Sequence, residues 1–491
     1  MRRARHRQLS FVFADNPIGG KGQAASGVPE AKAYLLRIAK DKPTRCLAAR
    51  AADPYRLLEE VASKPNLAKA LLNVARNKGA AGVDGCSVEE VVGSVRRLLP
   101  KLRRVLLSGQ YRPGDVLRVW ITKPGGGQRG LGIPNVVDRW VQQAVLQVLG
   151  PIFEPLFHDS NHGFRPHRGA HTAIAEARRY VSEGFAVVVD LDLSKFFDRV
   201  HHQRLLSRVG QQVHDRRILR LIHRMLKAKV VLPDGTRVST AQGTPQGGPL
   251  SPLLSNIVLD ELDKELHRRD LHFVRYADDC NIFVRSARAG RRVMQSISGF
   301  IEHRLRLKVN EAKSSVTCPE NLDFLGFRLP RNSEGKVEVH ISARAKQRLD
   351  TRIRQMTART WGHSLDSCIK ALNRYLGGWA AYFRICTVEG AKVFWRFDAH
   401  IRRRLRAIII HQKKRPRYLY RHLISRGVSP KTAAGTAFRR RGIWKRSNLP
   451  GITRAYGNAW FADRLFSLWA RWWQFNPSIR ASGGQLLLFE T

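Results

Sequence analysis

At 491 residues, 43% of them hydrophobic, the chain is long enough for two or three domains with sizeable cores. Its 87 Lys and Arg against 39 Asp and Glu give a formal net charge of +48, far more than solubility requires, so the expected partner is a polyanion. No run of about 20 apolar residues is present, which argues against a transmembrane helix, and Cys46, Cys86, Cys280, Cys318, Cys368 and Cys386 form no Cys-x-x-Cys pair and have no clustered histidines, which argues against a zinc site and suits a reducing compartment.

Residues 1–55 open with Arg2, Arg3, Arg5 and Arg7 and lack a long apolar run, so a basic, flexible extension is expected and not a secretory signal. Ser87-Val-Glu-Glu90 reads as a capping box at the start of a helix, because a serine hydroxyl and a glutamate three residues on can satisfy each other's free backbone N–H groups. Val141-Gln-Gln-Ala-Val-Leu-Gln-Val-Leu149 has the broad apolar face of a helix. The β-branched run from Phe185 predicts a strand that meets Asp190, Asp192 and Asp198. Asp234-Gly235, between Val230-Val231-Leu232 and Val238, predicts a hairpin. A second hairpin is predicted from Phe273-Val274 and Ile282-Phe283-Val284, with Tyr276-Ala277-Asp278-Asp279 as its turn. Beyond Phe327 a turn at Asn332-Ser-Glu-Gly335 leads to helical sequence from Ser342 onward, which sets a domain boundary near 340.

The paired acids at the turn carry the chemistry. Adjacent carboxylates on a fixed backbone repel unless a cation neutralises them, which points to a divalent metal. Side chains alternate along a strand, so Asp190 and Asp192 share one face and spacing does not choose between them as a third ligand. One of them with Asp278 and Asp279 would hold two Mg²⁺, Mn²⁺ being a substitute, in the arrangement that serves nucleotidyl transfer. Downstream, Ala399 to Ala462 holds 17 Lys or Arg and no carboxylate. Arg402-Arg403-Arg404, Lys413-Lys414-Arg415 and Arg439-Arg440-Arg441 punctuate that interval, with Tyr418, Tyr420, Trp444 and Tyr456 available to stack on bases, the pattern of a nucleic-acid surface.

Over positions 67 to 475 the chain resembles the reverse transcriptases encoded within group II introns of bacteria and organelles. The resemblance is carried, in the family's order, by Asn77-Lys-Gly-Ala-Ala-Gly-Val-Asp-Gly85, Tyr111-Arg-Pro, Lys123-Pro-Gly-Gly-Gly-Gln-Arg129-Gly-Leu-Gly-Ile-Pro134, Asp138-Arg139 and Gly163-Phe-Arg-Pro166. Gly243-Thr-Pro-Gln-Gly-Gly-Pro-Leu-Ser-Pro252, Tyr276 to Asp279, Lys313 and Phe324-Leu-Gly-Phe327 complete the polymerase blocks. Leu372-Asn-Arg-Tyr-Leu-Gly-Gly-Trp-Ala-Ala-Tyr-Phe-Arg384 and Arg402 to Arg406 match the thumb and maturase region.

The resemblance implies an α+β fold. A right-hand polymerase with fingers and an antiparallel palm sheet flanked by helices would occupy 56–340, a helical thumb and maturase region 341–475, and a tail 476–491. It implies that Asp192, Asp278 and Asp279 are the catalytic metal ligands, which leaves Asp190 outside that set. It further implies that Lys123, Arg129 and Lys313 hold the nucleotide's phosphates, that Phe197 blocks a ribose 2′-hydroxyl and that Gln246 supports the nucleotide. Two departures stand out: Gly130, where proline is common and whose loss is expected to loosen the fingers loop, and His162 ahead of Gly163. The clustered cysteines and histidines of the family's nuclease domain are not found in the C-terminal residues. The implied activity is RNA-directed DNA polymerisation with maturase function, on group II intron RNA, a DNA primer and target, and dNTPs. The implied setting is the bacterial cytoplasm, with the nucleoid or RNA. A related polymerase recruited to DNA repair or phage defence is the alternative enzyme reading. An RNA-binding splicing factor with a vestigial polymerase is the alternative from another class, and the three intact aspartates oppose it.

Overall fold

The computed structural model describes residues 28–41, 56–122, 127–244, 247–360, 362 and 364–477. The N-terminal arginines, Cys46, Lys123, Gln246 and the residues from 478 onward lie outside this set. The chain divides into two compact units, one of residues up to Glu176 with Val187–Val316, the other of Ala177–Ala186 with Thr317 onward.

The first unit opens with helices whose starts are set locally. Ser63 accepts from the Asn66 N–H ahead of Lys64–Arg76, and the Ser87 and Glu90 side chains close the expected capping box ahead of Val88–Gly93. The helix Val136–Phe153 contains the apolar stretch expected at 141–149 and is buried on nearly all sides. Its polar residues are therefore partnered: Asp138 accepts from the Tyr111 hydroxyl at 2.5 Å, and the Trp140 indole donates to the Leu67 carbonyl at 2.7 Å.

Two four-stranded sheets frame the site. In the first, β1 (Val116–Thr122) and β2 (Gln128–Ile133) form an antiparallel hairpin with Trp120 opposite Gly130 and Ile121 opposite Arg129. The second sheet begins with β3 (Val187–Leu191). β4 (Val230–Val231) pairs parallel to β1, and β5 (Arg237–Val238) returns antiparallel to β4 through the expected Asp234-Gly235 turn. β6 (His272–Tyr276) and β7 (Asp279–Val284) form the expected hairpin, and β7 pairs with β3 so that Asp190 faces Asn281 and Leu191 faces Cys280. With β8 (Ser315–Thr317) the order of this sheet is β6-β7-β3-β8. The first sheet is thus mixed and the β6-β7-β3 ladder antiparallel, both with flanking helices, the arrangement expected for fingers and palm.

In the second unit β9 (Phe327–Arg328) pairs with β10 (His340–Ile341) around the Asn332–Gly335 turn, and Arg178 and Arg331 donate to the Val337 and Val181 carbonyls. The segment 317–341 belongs to this unit, tied to it by these bonds. Ser342 caps the helix Ala343–Met356, and the rest of the described chain is helical. Trp472 is fully buried and donates to the Cys386 carbonyl at 3.0 Å, so the C-terminal tryptophans serve packing. Among the described residues no helix is long and apolar enough to cross a membrane.

Candidate active site

Tyr276 and Asp279 are the last paired residues of the β6–β7 hairpin, so its turn is the dipeptide Ala277-Asp278. Ala277 has φ +59°, a conformation that costs an L-residue on the order of 1–3 kcal/mol and persists only where the surroundings enforce it. Arg275 does so. Its side chain is fully buried on the sheet face opposite the aspartates, where it makes a bidentate pair with Asp263 at 2.6 and 2.5 Å. It also donates to Asn256 Oδ1 at 3.1 Å and to the Ala277 carbonyl at 2.9 Å. Asn256 passes the support on, its Nδ2 donating to the Gly163 carbonyl at 2.8 Å. Gly163 lies against the turn so closely that a Cβ there would sit 2.2 Å from the Ala277 nitrogen. His162, which departs from the family pattern, is held by Glu176 at 2.6 Å and Thr172 at 2.9 Å, and its N–H donates to the Arg275 carbonyl at 2.8 Å.

Asp192 follows the end of β3. Its N–H donates to Ser314 Oγ at 3.1 Å, its Oδ2 accepts from Asn310 Nδ2 at 2.7 Å, and Lys313 Nζ lies 3.5 Å from the same oxygen. Asp192, Asp278 and Asp279 line one cavity of about 1020 Å³ with Lys313, Asn310, Arg129, Phe197, Arg118 and Trp120. Asp190 lines no part of it. It lies two residues deeper, opposite Asn281, where burial and then the charge of Asp192 push its pKa up to about 6. Burial, then Asp278, Asp192 and Asp190, push Asp279 up to about 7, and burial also raises Asp278, whose charge Arg129 and Lys313 favour.

Among the described residues no three His, Cys, Asp or Glu side chains are already gathered closely enough to hold a metal ion. Asp192 accepts from Asn310 and faces Lys313. The donor set still suits a hard divalent cation, being all oxygen and short of positive charge.

Of the expected nucleotide contacts, Arg129, Phe197 and Lys313 share this cavity, while Lys123, in the segment joining β1 to β2, and Gln246 lie outside the described residues. Phe197 sits on the short helix Phe196–Arg199 after Lys195, which has φ +51°. Its carbonyl accepts from the Thr244 N–H, so its ring is positioned by the loop that leads to Gln246. The Gly130 departure does not leave a gap: Arg118 and Trp120 fill the space, and a Cβ there would lie 2.5 Å from Arg118 Nη1. Arg118 also donates to the Gly130 carbonyl at 3.0 Å, which ties the hairpin together where the sequence suggests loosening.

Sequence reasoning missed Arg275, Asp263, Asn256, Gly163 as a contact, and Asn310. An arginine beside the apolar pair Phe273-Val274 was a usable signal, since a charge in a buried strand needs a partner.

In the second unit the basic residues fall into two groups. Arg402 is half-buried, and desolvation lowers its pKa against the favourable charge of Asp398. Arg403 lies 4.1 Å over the Trp444 ring, and Arg404 donates to Thr357 Oγ1 and to the Arg354 and Thr357 carbonyls. Lys414, Arg415, Arg439, Arg440 and Arg441 are exposed and Lys413 is half-buried. Tyr418 and Trp444 are exposed, but Tyr456 is buried with its hydroxyl 2.5 Å from His422 Nε2, so it is not available to stack on a base.

Residues 121–329 match the family described as "Reverse transcriptase (RNA-dependent DNA polymerase)", and residues 346–427 match "Group II intron, maturase-specific domain". Protein YkfC of Escherichia coli K12 is 33% identical over 58% of this chain and 86% of its own length. Group II intron-encoded protein LtrA of Lactococcus lactis subsp. cremoris is 35% identical over 54% of this chain, and the match spans 55% of LtrA. Among solved structures, a chain of the "Partial Cas6-RT-Cas1--Cas2 complex" aligns over 50% of this chain and 42% of its own at 23% identity, with a TM-score of 0.33.

Proposed function

The chain belongs to the family of group II intron-encoded reverse transcriptases with a maturase domain, and from that premise we propose that it extends a DNA primer along intron RNA and binds that RNA to assist splicing. The observation that carries the polymerase reading is the single cavity that gathers Asp192, Asp278 and Asp279 with Arg129, Lys313 and Phe197.

Asp192, Asp278 and Asp279 would hold two Mg²⁺, or Mn²⁺ in their place. When bound, such ions lower the pKa of a primer 3′-hydroxyl and neutralise charge on the attacked and departing oxygens. The chain's own residues do the rest. Arg129 and Lys313 bring positive charge to the triphosphate, with Lys123 and Gln246 as further contacts. The Phe197 ring stands where a ribose 2′-hydroxyl would intrude. Arg275, Asp263 and Asn256 fix the turn that carries two of the acids, so little reorganisation is needed when substrate arrives. For RNA, the exposed Lys414, Arg415 and Arg439–Arg441, with the half-buried Lys413, supply phosphate contacts, whereas Arg402–Arg404 are more enclosed. The bacterial relatives suit action in a bacterial cell, with the nucleoid and RNA.

The test is primer extension on an annealed RNA template with Mg²⁺ and dNTPs, run beside splicing of the cognate intron RNA. Asp278→Asn and Asp279→Asn each remove a charge with little change in volume and are expected to lower extension by on the order of 10³-fold or more while RNA binding persists. Robust Mg²⁺-dependent extension by both variants would overturn the assignment.

A further inference from the structure

Phe164 is an aromatic residue in an unfavourable place twice over. Its side chain is 52% exposed, and its backbone has φ +59°, the left-handed region that bulky L-residues rarely adopt. Neither feature is a result of slack in the loop. On one side Gly163 is fixed by Asn256 at its carbonyl and by Asn161 Oδ1 at its N–H, 3.2 Å away. On the other, Arg165 is buried and donates to Glu154 Oε1 at 2.9 Å and to the His158, Asn161 and Glu154 carbonyls at 2.6, 3.0 and 3.2 Å. Both neighbours are pinned, and the ring between them is turned outward.

The ring faces a second cavity of about 610 Å³, within the range of small-ligand sites and distinct from the one that holds the aspartates. Its walls include Leu131, Pro249, Gln143 and the backbone of Gly247 and Gly248. Phe197 and Arg129 line both cavities, so the two meet at the residues assigned to sugar and phosphate. A nucleotide with its phosphates beside Arg129 and the aspartates, and its sugar against Phe197, would extend its base into this second space. The cavity offers apolar and amide surface there beside Arg129 and Arg139, and no carboxylate lines it among the described residues.

We propose that Phe164 is a nucleobase-contacting residue whose ring forms one wall of the space where the incoming nucleotide's base pairs with its template partner. This rests on the polymerase reading, and it accounts for the backbone strain as the means of presenting a flat apolar face to a flat apolar ligand. The occupant is a base pair and not a protein segment, because the cavity shares Arg129 and Phe197 with the catalytic one and the chain carries +48.

The experiment is single-nucleotide extension by the full chain on a DNA primer annealed to RNA, with Phe164→Gly, Phe164→Ala and Phe164→Tyr. Glycine accepts φ +59° freely, so Phe164→Gly is expected to melt no lower than the parent. Its KM for the correct dNTP should nevertheless rise on the order of tenfold or more, in line with loss of base–aromatic stacking, with discrimination against mismatched dNTPs reduced. Affinity for the primer–template duplex alone should stay within about twofold, and Phe164→Tyr should recover most of the KM loss. A melting temperature that falls in Phe164→Gly with KM unchanged would make the ring structural and overturn the proposal. Weakened duplex binding with unchanged dNTP KM would overturn it as well. A parent chain that fails to extend primers overturns the polymerase reading and this inference together, whereas a competent parent matched by all three variants overturns this inference alone.

Discussion

The carboxylates of the β6–β7 turn and the arginines of the helix Val388–Gln412 are both dense in one sign of charge, yet they are held in opposite ways. Asp278 and Asp279 have their backbone fixed from behind by Arg275, Asp263 and Asn256, while burial and then the neighbouring carboxylate charges push Asp279 up to about 7. Arg403 and Arg404 instead have aromatic, hydroxyl and carbonyl partners inside their own unit. Net charge therefore locates a polyanion surface only coarsely. A charged group that the fold positions without neutralising points to a ligand, and one that the fold has already partnered points to packing.

The acidic half of this comparison breaks most severely through Gly163. A Cβ at that position would meet the Ala277 nitrogen at 2.2 Å, backbone against backbone, so the turn must move in Gly163→Ala. Overpacking of this kind costs about 1–3 kcal/mol of stability. A displacement of about 1 Å at a catalytic group costs on the order of 10²-fold in rate. Single-turnover extension well below the melting temperature separates the two: a destabilised variant that extends at the parent rate would show that the position of the turn is not limiting.

How much of this was legible depends on the range of the interaction. The Ser87–Glu90 box, the Asp234-Gly235 turn, the helix start at Ser342 and the hairpin around Asp278 follow from contacts a few residues apart, and each was readable in the sequence. Spacing alone left Asp190 and Asp192 equivalent, because alternation places both on one face. The family resemblance favoured Asp192, and the assembled sheet supplies the physical reason: Asp192 follows the strand end and lines the cavity, whereas Asp190 does not. The support of the turn joins Gly163, Asn256, Asp263 and Arg275, and β1 pairs in parallel with a strand more than a hundred residues away. No local pattern encodes either. The basic interval was legible as composition and not as a contact map, because a partner such as Thr357 for Arg404 lies 47 positions away.

A second prediction sharpens the acidic half at the level of selectivity. The Phe197 side chain is buried at the junction of the two cavities, 5.2 Å from the Phe196 ring in an edge-on arrangement. Phe197→Ala is expected to raise the ratio of rNTP to dNTP incorporation by on the order of tenfold, the size of a modest steric discrimination. Paired kcat/KM measurements on matched rNTP and dNTP check this, and an unchanged ratio would return Phe197 to a packing role.

The smallest expected effects divide the basic half in two. Replacing Arg439, Arg440 and Arg441 by Gln removes three exposed charges whose side chains no described hydrogen bond ties to the fold. Every phosphate that is no longer neutralised should flatten the slope of log affinity against log salt by roughly 0.7–0.9, so the triple variant should bind structured intron RNA several-fold more weakly at physiological salt and far more like the parent at high salt. Its melting temperature should not move. Replacing Arg403 and Arg404 by Gln removes the packing on Trp444 and the hydrogen bonds to Thr357, which together stabilise by about 1–3 kcal/mol, so this variant should melt lower with little change in salt slope. Salt-series titrations beside thermal melts decide between them. If the Arg403 and Arg404 variant loses the salt slope while keeping its melting temperature, the enclosed arginines reach RNA after all, and the distinction between positioned and partnered charge fails on the basic side of the molecule.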